Sequence, residues 1–167
     1  SQLERYAREF NAVEINSSFY RPHMATTYRR WAASVPGEFR FSVKLPKIIS
    51  HEKRLDECDA DLDVFLGQVE NLGPTLGCFL LQLPPSLAFN EIKAASFFDR
   101  FRCRTSVPLV CEPRHATWFV NGVSRFLREH GVHRAGADPS LSLRAARPAG
   151  DPSVQYLRLH GSPRRYY

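Results

Sequence analysis

The sequence lacks any apolar run long enough to cross a membrane. No stretch approaches the about 18 consecutive apolar residues that a membrane-spanning helix requires. The opening residues, SQLERYAREF, are charged and helix-like and show no signal-peptide pattern. We therefore expect a cytoplasmic protein without a membrane partner.

Cysteine is also scarce, and its spacing forms no metal-binding or redox motif. The chain has four cysteines, and no two of them form a Cys-x-x-Cys pair. Cys78 and Cys111 lie inside apolar, strand-like runs, where cysteine packs as a small hydrophobic residue. This usage favours reduced thiols over a disulfide framework for Cys58, Cys78, Cys103 and Cys111.

Short motifs for nucleotides and metals are missing as well. No G-x-G-x-x-G or Walker-type loop follows any strand-like run, which argues against a nucleotide-binding open sheet. The sequence contains no His-x-His or His-x-x-x-His pair of the kind that marks many metal sites. We predict no cofactor and no metal ligands, with a divalent metal as the open alternative.

Apolar residues and arginine make up much of what is present. The 167 residues are 43% hydrophobic and carry a net charge of +6. This length suffices for a single domain over residues 1–167 with its own core. A basic surface favours nucleic acid or phosphorylated ligands, although solvated arginines on helix faces are the ordinary alternative.

The hydrophobic periodicity predicts strands and helices in alternation. Strand-like patterns cover residues 13–20, 39–46, 77–85, 109–111, 132–138 and 154–161. Helical spacing covers residues 2–10, 24–33, 55–72, 90–102 and 118–129, and a polar loop is expected over 140–152. Such alternation is typical of βαβ units and a parallel sheet.

Of the two parallel architectures, the pattern favours a TIM-type (β/α)8 barrel over a doubly wound sheet. Polar residues end nearly every strand, as in barrels, whereas an open sheet collects them at one switch point. A complete barrel needs about 200 residues or more, and only six strands are predicted here. We therefore expect an incomplete barrel without its first and last strands, whose open edges favour self-association.

The stretch LVCEPRHATWF, residues 109–119, shows this pattern most clearly. An apolar strand ends there in Glu112, Arg114 and His115, with Pro113 fixing the turn. Because parallel strands end at one rim, we expect their polar ends to converge on one mouth. The side chains predicted at that mouth are Glu14, Asn16, Lys44, Gln82, Glu112, Arg114, His115, Asp138, Arg158 and His160, with His51 framing the rim.

Five motifs in this order resemble the YecE-like family, domain of unknown function 72. They read VEINSSFYRPH, FRFSVKLPKIISHEKRL, LLQLPPS, CEPRHATWF and YLRLHG, and they span essentially the whole chain. The resemblance implies a TIM-barrel fold and a candidate pocket but no reaction. A first strand with Gly, Ser, Trp and Tyr and a final strand with an Asn pair, both features of that family, are absent here.

Our first functional hypothesis is a pocket for an anionic or phosphorylated small molecule, with or without general acid–base chemistry. Lys44, Arg114 and Arg158 would bind the anion. Glu112 or Glu14 would serve as general base and His160 as general acid. Further contacts with the substrate would come from Asn16, Gln82, His115 and Asp138.

Each of these residues also has a purely structural interpretation. Glu14 could pair with Lys44 inside the barrel. Gln82 could be a hydrogen-bonded strand-end amide, and His115 could cap the helix that follows it. Arg114 and Arg158 could connect neighbouring loops.

Two other classes of function remain open from the sequence alone. The first is a metal-dependent hydrolase or isomerase of the sugar or abasic-nucleic-acid type, with Glu14, Glu112, Asp138 and His160 as ligands. The second is a nucleic-acid-binding module that uses the basic, aromatic tail Arg164, Arg165, Tyr166 and Tyr167.

Overall fold

The chain is a mixed α/β protein in which helices and strands alternate as the sequence predicts. In the computed structural model, which describes residues 1–160, the helices are α1 (Gln2–Glu9), α2 (Ser17–Tyr20), α3 (Ala25–Ala33), α4 (Asp59–Val69), α5 (Glu91–Arg102) and α6 (Val123–Glu129). The strands are β1 (Ala12–Ile15), β2 (Arg40–Lys44), β3 (Leu76–Gln82), β4 (Leu109–Glu112), β5 (Val132–Arg134), β6 (Gly136–Asp138), β7 (Ala149–Gly150) and β8 (Leu157–Leu159). No α-helix of these residues is both long and apolar enough to cross a bilayer.

The sheet is mostly parallel and follows the order of the chain. Strands β1 to β5 lie side by side in parallel, and β7 adds to β5 in the antiparallel direction. A single residue, Ala135, separates β5 from β6, and β6 pairs in parallel with β8. Within residues 1–160 the backbone pairing does not close into a barrel, since β1 has only β2 as a partner.

The alternation of β2 explains how the sheet separates a core from a polar face. Phe41 and Val43 are fully buried in the large core that the helices cover. Ser42 and Lys44 point to the opposite face. A small apolar cluster of Cys78, Leu80, Val110 and Ala135 lies on that second face, where Tyr156 packs against it. Lys44 thus lies on the same face of the sheet as this second, smaller core.

The first strand is shorter than predicted. Residues 13–20 were expected to form one strand, but β1 ends at Ile15 and α2 begins at Ser17. The hydroxyl of Ser18 lies 3.2 Å from the carbonyl oxygen of Ile15 and 2.7 Å from that of Lys44. Serine side chains compete for backbone groups in this way, and the contact turns the chain out of the sheet.

The backbone conformation shortens one predicted helix and divides another. The helix expected over 55–72 begins only at Asp59, because Leu55 and Glu57 have φ angles of 70° and 40°. The helix expected over 118–129 is replaced by a 3₁₀ turn, Ala116–Phe119, and by α6. Gly122, with φ of 93°, separates the two segments.

The last third of the predicted sheet also differs in detail. The strand expected over 132–138 is split into β5 and β6, and the last strand is limited to Leu157–Leu159. The predicted loop over 140–152 contains β7, which makes one edge antiparallel. The tail residues Arg164, Arg165, Tyr166 and Tyr167 lie outside the described residues.

Candidate functional site

Arg158 is the centre of the charged cluster on the second face of the sheet. Its Nη2 and Nε donate to the two carboxylate oxygens of Glu14, at 2.7 Å and 3.1 Å. Its Nη1 donates to Oε2 of Glu112. All three nitrogens of the guanidinium are therefore used by carboxylates, and the side chain is only 9% exposed.

Tyr156 completes the environment of Glu14. Its hydroxyl lies 2.6 Å from Oε2 of Glu14 and 2.8 Å from Oγ of Ser42. Because the phenol has one proton, it donates to the carboxylate and accepts from the serine. Burial alone raises the pKa of Glu14, but the hydrogen bonds from Arg158 and Tyr156 outweigh it and hold that pKa below its ordinary value.

Glu112 links Arg158 to a second arginine. Its Oε1 accepts from Nη2 and Nε of Arg114, at 3.2 Å and 3.3 Å, and its side chain is 4% exposed. The Arg114 side chain is itself 37% exposed. One edge of that guanidinium faces Glu112, and the group is exposed enough to contact a ligand.

Lys44 does not pair with Glu14, although the sequence allowed that ion pair. Its ammonium nitrogen lies 3.9 Å from the centroid of the Phe19 ring and forms no ion pair with any carboxylate of residues 1–160. Burial lowers the pKa of Lys44 from 10.5 to about 8, and the positive charge of Arg158 adds to this effect. The Arg158 guanidinium occupies both oxygens of Glu14 instead.

His51 is placed beside Lys44 by a turn of π-helix, Ile48–Glu52. Its ring packs edge-on against Phe19 with 5.0 Å between centroids, and its Nδ1 lies 2.8 Å from Oγ of Ser50. Burial lowers the pKa of His51, and the charges of Lys44 and Arg114 lower it further. Several cationic side chains thus lie near His51, at the ends of β2 and β4.

A cleft of about 260 Å³ opens next to this cluster. Glu112, Arg114 and His160 line it on the polar side, and Phe119 and Leu141 contribute apolar surface. Nε2 of His160 is buried and has no hydrogen-bond partner among the residues that the structure describes. Arg114 and His160 thus line the same cleft as Glu112, whose two carboxylate oxygens are bound by Arg114 and Arg158.

The remaining predicted residues lie at the strand ends, and a hydrogen bond from Asn16 also helps to lower the pKa of Glu14. Asn16 and Asp138 are exposed, at the ends of β1 and β6. Gln82 is buried and pairs in register with Glu112. The assignment of these three residues to ligand binding stays a prediction.

His115 has the contacts of a helix cap. Its Nδ1 accepts from the backbone N–H of Thr117 at 3.3 Å and lies 2.9 Å from the hydroxyl of the same residue. That hydroxyl in turn accepts from the backbone N–H of Phe89 at 2.7 Å. These contacts support the structural interpretation that the sequence left open.

We expect His115→Ala to lower the free energy of unfolding by about 1 kcal/mol, as the loss of an N-cap generally does. Binding of inorganic phosphate should stay unchanged, because the imidazole is committed to Thr117. Urea unfolding and phosphate titration check the two parts separately. A large loss of phosphate affinity at full stability would instead support the prediction that His115 contacts a ligand.

The carboxylates and histidines do not converge into a metal-binding group. Across residues 1–160, no set of three or more His, Cys, Asp or Glu side chains is arranged to hold a metal ion. The oxygens of Glu14 and Glu112 face guanidinium groups instead.

Sequence reasoning missed Tyr156 and Phe19. Tyr156 precedes Arg158 by two residues and shares its strand face, so the alternation carried a usable signal. Phe19 carried none, because its position next to Lys44 follows from the early end of β1.

Comparison with known proteins identifies the family. The family model described as "Protein of unknown function DUF72" matches residues 1–167. The chain belongs to this family. The DUF72 chain is 34% identical over 154 residues to the UPF0759 protein YecE of Escherichia coli K12, with 89% of this chain and 56% of that protein covered. It thus spans little more than half the length of this curated relative.

Solved structures of the family share the fold. A DUF72 family protein from Thermotoga maritima MSB8 is 28% identical to this DUF72 chain, with a TM-score of 0.75 over 93% of this chain and 62% of that one. A DUF72 family protein from Enterococcus faecalis V583 gives a TM-score of 0.81 at 21% identity, over 95% and 69% of the two chains. A monomeric dihydrodipicolinate synthase variant is more distantly similar in fold, with a TM-score of 0.53 at 18% identity over 86% and 50%.

Proposed function

We propose that this chain forms part of a TIM-type barrel whose C-terminal mouth binds an anionic, phosphorylated small molecule. The observation that carries the proposal is the distribution of charge at the mouth. Arg158 is neutralised by Glu14 and Glu112, whereas Lys44 has no carboxylate partner in residues 1–160. In the hydrogen-bonded cluster and its neighbour Lys44, three cations therefore face two carboxylates, and the excess charge of this group is positive.

The proposed barrel is supported by side-chain contacts between the last part of the described chain and its first two strands. Tyr156 and Arg158 bond side chains of β1 and β2, more than a hundred residues earlier in the chain. Side chains thus bridge the face that a barrel would enclose, although the backbone stays open. The similarity to dihydrodipicolinate synthase supports the same fold. The missing strands would come from the rest of a longer protein or from a second copy.

In this proposal the anionic ligand binds first to Arg114. This guanidinium is partly exposed at the cleft, and it can bind two phosphate oxygens at once. His160 lines the same cleft, and in this proposal its imidazole exchanges a proton with the bound molecule. Glu112 is the alternative base, and Arg158 holds its carboxylate in position. Arg158 itself acts in this proposal as a positioning residue.

The four cysteines support a reducing location for this function. All four are free thiols in the structure, and Cys58, Cys78 and Cys111 are buried. Proteins with unpaired buried thiols are typical of the cytoplasm, where phosphorylated metabolites are abundant. A cytoplasmic location is accordingly part of the proposal.

Arg114→Gln tests the proposed anion site. We expect phosphate affinity to fall about tenfold to hundredfold, because a charge-assisted hydrogen bond contributes about 1.5 to 3 kcal/mol. Calorimetric titration with inorganic phosphate, and then with a panel of phosphorylated metabolites, measures the change.

Arg125→Gln is the matched control, because Arg125 pairs with Glu129 on the surface of α6. It should bind phosphate as the wild type does. Equal binding by all three proteins would contradict the proposal. Tighter binding of manganese than of phosphate would favour the hydrolase or isomerase alternative. Steeply salt-dependent binding of an oligonucleotide would favour the nucleic-acid module.

A further inference from the structure

Lys44 differs from every other lysine of the chain. The sequence contains four lysines, and three of them pair with carboxylates. Lys47 lies 3.5 Å from Glu52, Lys53 lies 2.6 Å from Asp61, and Lys93 lies 3.0 Å from Asp56. Lys44 is the most buried of the four, at 7% exposure, and pairs with none of the carboxylates in residues 1–160.

The surroundings of Lys44 make its ammonium group lose a proton more easily than an ordinary lysine does. An aromatic ring and a buried strand end take the place of water around its nitrogen, and Arg158 adds a second positive charge nearby. The charges of Glu14 and Glu112 offset part of this effect, but both carboxylates are hydrogen-bonded to Arg158 and neither forms an ion pair with Lys44. A lysine that is desolvated and lies near another cation is the form that proteins use as a nucleophile.

We infer that Lys44 forms an imine with an aldehyde or ketone group of the anionic ligand. This inference rests on the proposed anion site, which would bring the carbonyl to the mouth. It narrows the substrate class to phosphorylated or otherwise anionic carbonyl compounds. It also gives the site a covalent step that the charge cluster alone does not imply.

The step balances without an oxidant or reductant. The lone pair of Nζ attacks the carbonyl carbon, a C–N bond forms, and the carbonyl oxygen takes a proton to become a hydroxyl group. The nitrogen then loses a proton and the hydroxyl group takes up a second one. The C–O bond breaks, water leaves, and the nitrogen lone pair forms the C=N bond of a protonated imine. Glu14 and Glu112 share the face of the sheet with Lys44 and supply carboxylates through which the proton can pass.

Reductive trapping with pyridoxal 5′-phosphate tests the inference. This probe carries both an aldehyde and a phosphate, and cyanoborohydride converts its imine into a stable secondary amine. Peptide mapping then reports labelling at each of the four lysines separately. We expect Lys44 to be labelled at least about tenfold faster than Lys47, Lys53 or Lys93 at mildly basic pH, since much more of it is free amine.

Two variants and one competitor separate this inference from the proposed anion site. Lys44→Arg should abolish the fast labelling, and Lys53→Arg should leave it unchanged. Pyridoxal without its phosphate should label Lys44 more slowly, and inorganic phosphate should protect Lys44 from pyridoxal 5′-phosphate.

Equal labelling of all four lysines would overturn the imine while leaving phosphate binding to be judged by its own titration. Fast labelling of Lys44 by both aldehydes without phosphate protection would support the amine and overturn the anion site.

Discussion

Arg158→Gln is expected to lower the free energy of unfolding by about 3 to 5 kcal/mol at neutral pH, the range found when one partner of a buried ion pair is removed. Glu14 and Glu112 would keep their buried carboxylates without the guanidinium that binds both. Tyr156 would still donate to Glu14. We expect this to be among the largest losses of stability from a single side chain in the cluster.

The loss of stability in Arg158→Gln should be smaller at acidic pH than at neutral pH. In the wild type the pKa of Glu14 lies below its ordinary value, so its stabilising contribution is present at neutral pH and is lost as the pH falls through that lowered value. In Arg158→Gln the burial of Glu14 is no longer offset by Arg158, so its pKa rises and the carboxyl takes up a proton sooner. The difference between the two proteins should therefore shrink on acidification.

Urea unfolding at neutral and acidic pH measures both effects. Arg125→Gln is the control, because it removes the same group from an ion pair on the surface, where such pairs contribute little. Tyr156→Phe provides a milder change at the same site, with an expected loss of about 1 to 2 kcal/mol for one buried hydrogen bond. Losses of equal size in Arg158→Gln and Arg125→Gln would show that the cluster does not stabilise the fold.

Lys44→Met is expected to act in the opposite direction and to stabilise the protein by about 1 to 3 kcal/mol at neutral pH. The wild type buries an ammonium group without a carboxylate partner, and lowering its pKa from 10.5 to about 8 corresponds to a cost of about 3 kcal/mol. Methionine keeps an unbranched chain of similar length, and its sulfur packs well against an aromatic ring such as Phe19. Substitutions that stabilise a protein by removing a polar side chain are typical of functional sites.

The effect of Lys44→Met on stability should depend on pH, because the folded and unfolded proteins bind the proton of Lys44 over different pH ranges. Below pH 8 both the folded and the unfolded protein carry the proton on Lys44, so the full cost is present. Between pH 8 and 10.5 only the unfolded protein holds it, so the stability of the wild type rises with pH relative to the variant. The advantage of Lys44→Met should therefore be largest at neutral pH and should fade towards pH 10.5.

Unfolding curves of both proteins across this range provide the measurement. Lys53→Met serves as the control, because the hydrogen bond to Asp61 raises the pKa of Lys53 and its removal should give no stabilisation. A destabilised Lys44→Met with no change in pH slope would mean that the ammonium group is solvated, and it would also remove the basis for a nucleophilic lysine.

Local patterns in the sequence were enough to predict the order of the elements and the side chains at the strand ends. The period-2 alternation of residues 39–46 assigns Phe41 and Val43 to one face and Lys44 to the other, and β2 confirms it. The position of Glu112 after an apolar run likewise predicts a strand end, which is where β4 places it. Such patterns are readable because each face of a strand meets a single environment.

Only the tertiary structure decided which charges pair with each other. Glu14 lies beside β2 and could have bound Lys44, but Arg158, 144 residues later, binds both of its oxygens. A guanidinium presents several donors in a fixed plane and so binds a carboxylate at two points, which an ammonium group does not. Competition of this kind depends on distances across the sheet, and no local pattern encodes them. That competition is what leaves Lys44 without a partner in residues 1–160, and our proposals for this site depend on it.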